Sequence, residues 1–217
     1  MIEQLMQVID GLMYRQSAYT ILDVGSRDAL VAIEFAEHFP NAKIYAFECN
    51  PPAISICRRN VANHPNIVLV ENAVSDVCGP VGFYAIDPEK TVTAWPDGNI
   101  GASSLFIANP AYPVETYYQN RITVEAITLK QWAQGVGINT IDILWMDLQG
   151  AELKALMGMG DLLDTVSFIY TEVEYKEMYI GQPLFDTIDR YLTKHGFYLH
   201  SKLNTSQWFG DAIYVRT

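Results

Sequence analysis

The chain has 217 residues, 50 % hydrophobic and 18 % charged, a balance that suits one globular domain and excludes a disordered one. Its formal net charge of −11, from 14 Lys and Arg against 25 Asp and Glu, argues against DNA or RNA as a partner. Phosphate neutralisation by a basic stripe supplies most of a nucleic-acid binder's affinity.

No apolar run reaches the roughly 18 residues of a membrane span, so no membrane is expected. The N-terminus also lacks a basic stretch followed by an apolar core, so secretion is not expected either. Cys49, Cys57 and Cys78 form no C-x-x-C pair, which fits reduced thiols in a cytoplasm. His64 precedes a proline and His195 an expected helix-ending glycine, and neither has zinc-ligand spacing.

In chain order, Ile2, Leu5, Met6, Ile9, Leu12 and Met13 recur at helical spacing up to Tyr14. This predicts an amphipathic helix within an N-terminal unit, residues 1–19, packed on the domain or on a partner subunit. It lacks the lysines of a membrane-surface helix. Residues 20–217 then form the main domain. Strands are expected at 20–24, 43–47 and 66–70, with helices at 29–38 and 52–62 between them. Such β-α-β-α-β alternation implies a parallel sheet with right-handed crossovers. Residues 71–76 make a polar rim at the end of the third strand, fit to line an adenine or simply to turn.

Residues 81–86 and 121–128 alternate apolar and polar and read as strands. Between them residues 87–120 have no clear period and are rich in Pro, Gly, Asn and Tyr. Irregular segments of this length are commonly lids or binding loops; a dimer contact, and hence a homodimer, is the other reading. A helix at 129–134, a strand at 142–147, a helix at 151–157, a strand at 165–173 and a helix at 183–195 follow. Residues 197–203 and 207–216 close the chain as an antiparallel hairpin. The expected fold is α/β, a Rossmann-like class I methyltransferase fold with a seven-stranded, mostly parallel sheet ending in that hairpin.

The chemistry begins at Ile21-Leu22-Asp23-Val24-Gly25, a buried strand running into a tight turn, and resumes about 20 residues on at Tyr45-Ala46-Phe47-Glu48. In an open parallel sheet ligands sit beyond the carboxyl ends of the strands, and an acid ending the second strand bonds ribose hydroxyls. An adenosine-containing cofactor follows. A dinucleotide site needs G-x-G-x-x-G, but only Gly25 is present, with Arg27 and Ala29 in the other places. Asp23 at the mouth of the turn would repel a pyrophosphate yet favour the ammonium and sulfonium of S-adenosylmethionine. The plain alternative is a turn with Gly25 at positive φ and Asp23 or Ser26 capping the helix.

Asp147 ends the fourth parallel strand, Glu152 falls in the first turn of the next helix, and Glu172 and Glu174 end the fifth strand. Asp147, Glu152 and Glu172 are the candidate catalytic set. One of them can act as base toward an acceptor hydroxyl, or together they can hold a divalent cation that acidifies it. Glu174 is expected to be solvated, and a carboxylate at the position of Glu152 also suits a helix N-terminus without any catalytic role.

Asp23-Val24-Gly25-Ser26-Arg27-Asp28, Phe47-Glu48-x-Asn50-Pro51, Asn72-Ala73-Val74-Ser75-Asp76 and Gly101-Ala102-Ser103-Ser104-Leu105 occur in order. They are followed by Thr128-Leu129, by Ile141 through Asp147-Leu148-Gln149-Gly150-Ala151-Glu152, and by Glu172-Val173 with Met178-Tyr179. Together these resemble the FkbM family of S-adenosylmethionine-dependent methyltransferases. The resemblance implies O-methylation of a small-molecule, sugar or polyketide hydroxyl. By position it implies that Asp23 and Gly25 line the methionine moiety, Glu48 the ribose, Asn72 and Ala73 the adenine, and Asp147 the reaction centre. Ser26, Arg27 and Cys49 complete the expected cofactor set. Ala29 stands where the family usually has glycine, and Trp145 where many members have lysine. Two other readings stay open: a non-catalytic nucleoside-binding or scaffold protein, and an NAD-dependent oxidoreductase.

Overall fold

In the computed structural model residues 2–12 and 19–217 are described. In chain order the elements are α1 (Ile2–Leu12), β1 (Thr20–Val24), α2 (Leu30–His38), β2 (Lys43–Phe47), α3 (Pro51–Asn60), β3 (Ile67–Val70), β4 (Ala73–Val74) and β5 (Gly79–Ile86). They continue as β6 (Gln119–Ile127), α4 (Leu129–Val136), β7 (Ile143–Met146), α5 (Glu152–Met159), β8 (Phe168–Glu174), α6 (Phe185–Lys194), β9 (Phe197–Leu203) and β10 (Phe209–Arg216).

The main sheet has seven strands in the order β3-β2-β1-β7-β8-β10-β9. The β1, β2, β3, β7 and β8 pairings are parallel, and β10 pairs antiparallel with both β8 and β9. The central strands read as apolar runs because both faces are covered. Leu22, Val24, Phe47, Leu144 and Ile169 pack under α4, α5 and α6. Ile21, Ile44, Trp145 and Tyr170, one residue out of phase, pack under α1 and α2. Trp145 lies flat on Tyr170, ring centroids 3.6 Å apart and 2° from parallel. It is buried in this second core, where a lysine would be costly to keep charged.

Of the two expected partners for α1, the described residues supply the domain: Ile2, Leu5, Met6 and Ile9 enter the core shared with α2 and the sheet. Met13 and Tyr14, expected in the same helix, lie outside the described residues. Among the described residues no helix is long and apolar enough to cross a membrane.

The strands β4, β6 and β5 form a separate three-stranded sheet. The expected polar rim at 71–76 is therefore part strand: Ala73 and Val74 are buried and pair parallel with Ala126 and Ile127. Residues 87–118 emerge from the β5–β6 hairpin and fold back over the ends of the main sheet. The strand expected at 165–173 starts at Phe168, because residues 160–165 wind into a 3-10 turn whose Thr165 hydroxyl donates to the Leu162 carbonyl at 2.8 Å.

Candidate active site

The ends of β1, β2 and β7 meet at Gly25. Its φ of 89° lies in the left-handed region, and an added Cβ would sit 1.9 Å from the Asp147 carbonyl oxygen. Only glycine lets the β1 turn pass this close to the β7 end. The amides of Gly25 and Ser26 both donate to the Phe47 carbonyl, at 3.0 and 2.9 Å, tying β2 to the same point.

A narrow, partly open cleft lies beside this junction. Gly25, Glu48, Cys49, Asn72, Ala73 and Asp147, all in the expected set, line it. Three backbone amides hold Glu48: those of Cys49 and Asn50 donate to Oε1 at 2.7 Å each, and that of Arg27 to Oε2 at 2.8 Å. Burial pushes its pKa up, while these three donors pull it down. Asn50 is buried, with Nδ2 on Ser103 Oγ at 3.2 Å and Oδ1 unpartnered. An orphaned acceptor on a cleft wall suits a polar heterocycle or sugar donor.

Asp23, Ser26 and Arg27 stand differently. Asp23 is 1 % exposed behind the turn; Ser26 Oγ donates to its Oδ2 at 2.8 Å, and its Oδ1 has no partner. Burial, with the charges of Glu48 and Asp147 nearby, raises its pKa to about 7. Gly25 has the positive φ of the plain alternative, but neither Asp23 nor Ser26 caps α2: Ser26 bonds Asp23 instead, and Asp28 Oδ1 accepts from the Leu30 amide at 3.1 Å. The Arg27 side chain reaches Asp97 at 2.8 Å and covers the Trp95 ring at 4.6 Å. Ala29, buried with φ 62°, occupies a glycine-type conformation, so α2 begins one residue later than expected.

At the edge of the cleft the three candidate acids converge. Asp147, Glu152 and Glu172 each bring one carboxylate oxygen within 4.8 Å of the others. Gln149, at φ 53° in the turn after β7, bridges two of them: Nε2 donates to Asp147 Oδ1 at 2.7 Å and to Glu172 Oε2 at 2.9 Å. Glu152 is fully buried, accepting from the Leu148 amide at 2.7 Å through Oε1, and burial raises its pKa to about 7. Burial and the charge of Asp147 push Glu172 well above the ordinary carboxylate range. Glu174 corrects an expectation: it is fully buried beside Gln182 rather than solvated, and burial pushes its pKa well up too. The β8 end turns inward beneath residues 178–182, and alternation along a single strand cannot reveal that cover.

The irregular segment closes over both regions. Ile100, Ser103 and Leu105 line the cleft. Ser104 Oγ donates to the Gln149 carbonyl at 2.7 Å, and Tyr179 OH approaches the Ala102 carbonyl at 2.9 Å and Gln149 Oε1 at 2.8 Å. Gln149, Tyr179, Asn50 and Ser103 were not singled out as site residues. They fall inside the motifs that carry the family resemblance, the one signal that could have found them.

A parallel sheet whose reversed strand lies next to its edge, with a cleft at the ends of β1, β2 and β7, is the class I methyltransferase fold. The dehydrogenase order has no such strand. The chain matches the methyltransferase FkbM domain over residues 23–199, and it belongs to the FkbM family. The 2-O-methyltransferase NoeI of Sinorhizobium fredii is 33 % identical over 166 residues, 75 % of this chain and 66 % of that protein. The crystal structure of an FkbM methyltransferase from Methylobacillus flagellatus superposes with a TM-score of 0.59 at 10 % identity, covering 94 % of this chain and 45 % of that one. M. capricolum TrmK, in complex with the cofactor product S-adenosyl-homocysteine, has a TM-score of 0.52 at 12 % identity, covering 98 % of this chain and 67 % of that one. The chain thus spans less than two thirds of the Methylobacillus enzyme and about two thirds of NoeI.

Proposed function

We propose that this protein transfers a methyl group from S-adenosylmethionine to a hydroxyl of a small-molecule or sugar acceptor. The observation that carries the reading is the placement of Glu48 and Asp147 on one cleft, with Glu172 immediately beyond Asp147. Glu48 is held at the cleft edge by three backbone amides, where it would grip the ribose; Asn72, Ala73 and the orphaned Asn50 oxygen flank the base. When bound, the cofactor supplies an electrophilic methyl on a sulfonium, a cation that a carboxylate-rich site favours.

This chain's residues would then orient the acceptor oxygen and take its proton at a carboxylate oxygen of Asp147 or Glu172. Tyr112, Tyr117, Tyr179 and Trp208 form an aromatic wall beside these acids, Tyr112 packing edge-on to Trp208 at 5.2 Å. Burial raises the phenol pKa values of Tyr112 and Tyr117, with Glu115 and then Glu172 contributing, so both stay neutral; Tyr117 already donates to Glu115 Oε2, which leaves Tyr112 to donate to a sugar hydroxyl. The 2-O-methyltransferase name of NoeI supports oxygen as the accepting atom.

Calorimetry with S-adenosyl-homocysteine and with NAD tests the cofactor, and label transfer from S-adenosylmethionine to a panel of sugar and polyol hydroxyls tests the reaction. We expect heat with S-adenosyl-homocysteine only. Glu48→Ala should weaken binding at least about tenfold, the loss of a charge-assisted contact. Asp147→Asn should bind within a few-fold of the parent and lose turnover. Transfer by Asp147→Asn at the parent rate would overturn its place at the reaction centre.

A further inference from the structure

We propose that Arg27 binds the α-carboxylate of the S-adenosyl ligand and so selects the cofactor that carries an intact amino acid. This role rests on the cofactor reading above: it supplies the partner for the ligand's one anionic group.

The charge balance of the cleft calls for such a partner. Its walls carry Glu48 and Asp147 and no lysine or arginine. These acids suit the ligand's ammonium and sulfonium but repel its carboxylate. An anion beside such a turn is ordinarily met by free backbone amides at the start of the following helix. Here those amides are spent. Gly25 and Ser26 donate to the Phe47 carbonyl, Arg27 to Glu48 Oε2, Ala29 to the Ser26 carbonyl at 2.7 Å, and Leu30 to Asp28 Oδ1 at 3.1 Å. The carboxylate therefore needs a side chain.

Arg27 is placed to be that side chain. Its own amide holds Glu48, so its stem leaves from the cleft edge. The stem passes over Gly101, where an added Cβ would lie 2.9 Å from Arg27 Cδ and 3.0 Å from Nε. The neighbouring Ile100 lines the cleft. Burial raises the pKa of Asp147, and the Arg27 guanidinium is among the groups that pull it back, so its charge reaches the acids of the cleft. Arg27 also holds φ 54°, a left-handed conformation rare for a residue with a long side chain, and such strain concentrates at ligand sites.

The guanidinium has donors to spare. Of its five N–H groups one is used among the described residues, Nη2 to Asp97 Oδ2 at 2.8 Å. That pair is partly exposed on both sides and exchanges partners at little cost. The Trp95 ring, 4.6 Å away, covers one face of the guanidinium. Its planar edge stays available, and two parallel N–H groups there match a carboxylate.

The test is calorimetry on the full chain with S-adenosyl-homocysteine and with S-adenosyl-3-thiopropylamine, which lacks only the carboxylate. We expect the parent to bind S-adenosyl-homocysteine at least about tenfold tighter, the scale of one charge-assisted contact. Arg27→Gln should bring the two ligands to parity or reverse their order, because the remaining acids favour the more positive one. Its binding of the amine within a few-fold of the parent reports an intact cleft. Arg27→Lys should keep part of the preference, as a point charge without the fork. Asp97→Asn breaks the same tether to the 95–103 segment but leaves the guanidinium, so it should keep the preference in full. The exposed Arg59→Gln should change neither affinity. Equal binding of the two ligands by the parent, a preference retained by Arg27→Gln, or its loss in Asp97→Asn overturns the proposal. Heat with neither ligand would overturn the cofactor reading and this assignment together.

Discussion

Asp23 keeps one carboxylate oxygen on Ser26 and the other on nothing, and burial lifts its pKa from 3.8 to about 7. The folded chain therefore binds this proton more tightly than the unfolded chain, and between about pH 4 and 7 it carries more protons. The stability this group contributes is complete below about pH 4 and is lost as pH rises through 7. Each tenfold difference in proton affinity between the two states is worth about 1.4 kcal/mol. Asp23→Asn, uncharged at every pH, is therefore expected to raise the melting temperature at pH 8 by several degrees and to change it little near pH 4. Thermal melts at the two pH values check this; an equal change at both would place the effect in packing rather than charge. Ala29 makes a second residue-scale case. A non-glycine residue in the left-handed region costs about 1–2 kcal/mol, and Ala29 holds φ 62° with no exposure at all. Ala29→Gly is expected to leave the urea midpoint unchanged or raise it. The same change inside a helix loses about 0.5–1 kcal/mol.

At the scale of elements, the segment between β5 and β6 explains how one sheet end becomes an enclosed site. It has little regular structure of its own, and its order comes from tethers. Arg27 holds Asp97 and Trp95 on the cofactor side, Asn50 holds Ser103 at the cleft, and Gln149 and Tyr179 hold residues 102–104 on the acid side. Glu115 gathers Thr93, Asn99 and Tyr117 within the segment itself. Partly exposed ion pairs are worth about 0–1 kcal/mol, so the Arg27–Asp97 tether governs local opening rather than global stability. Asp97→Ala is expected to speed amide hydrogen exchange at residues 95–103 by up to about five-fold, the factor for 1 kcal/mol, with the global melting temperature nearly unchanged. Unaltered exchange there would mean that the Trp95 stack and the Asn50 contact suffice.

At the scale of the molecule, strand-forming runs at 20–24, 43–47 and 197–203 were legible to the residue: the first two are mainly apolar stretches of a covered parallel sheet, and the third alternates buried and more exposed side chains as an edge strand does. So were the acids at strand ends, since a carboxylate directly after a buried strand has few other places to go. The family resemblance was legible as well, as an ordered set of short motifs. What could not be read was set by contacts distant in sequence. Glu174 looks solvated until the chain beyond β8 folds over it. Asp23 gives no local sign that it is buried and bonded by Ser26, and residues 71–76 look like a rim until Ala126 and Ile127 arrive to pair with them. Local patterning alone determined which stretches become strands, which become helices, and which carboxylates stand at the strand ends, because periodicity and turn chemistry act over a few residues. Only the tertiary structure decided which of those carboxylates share one enclosure and which lose their water, because desolvation and mutual repulsion depend on neighbours brought from 20 to 80 residues away.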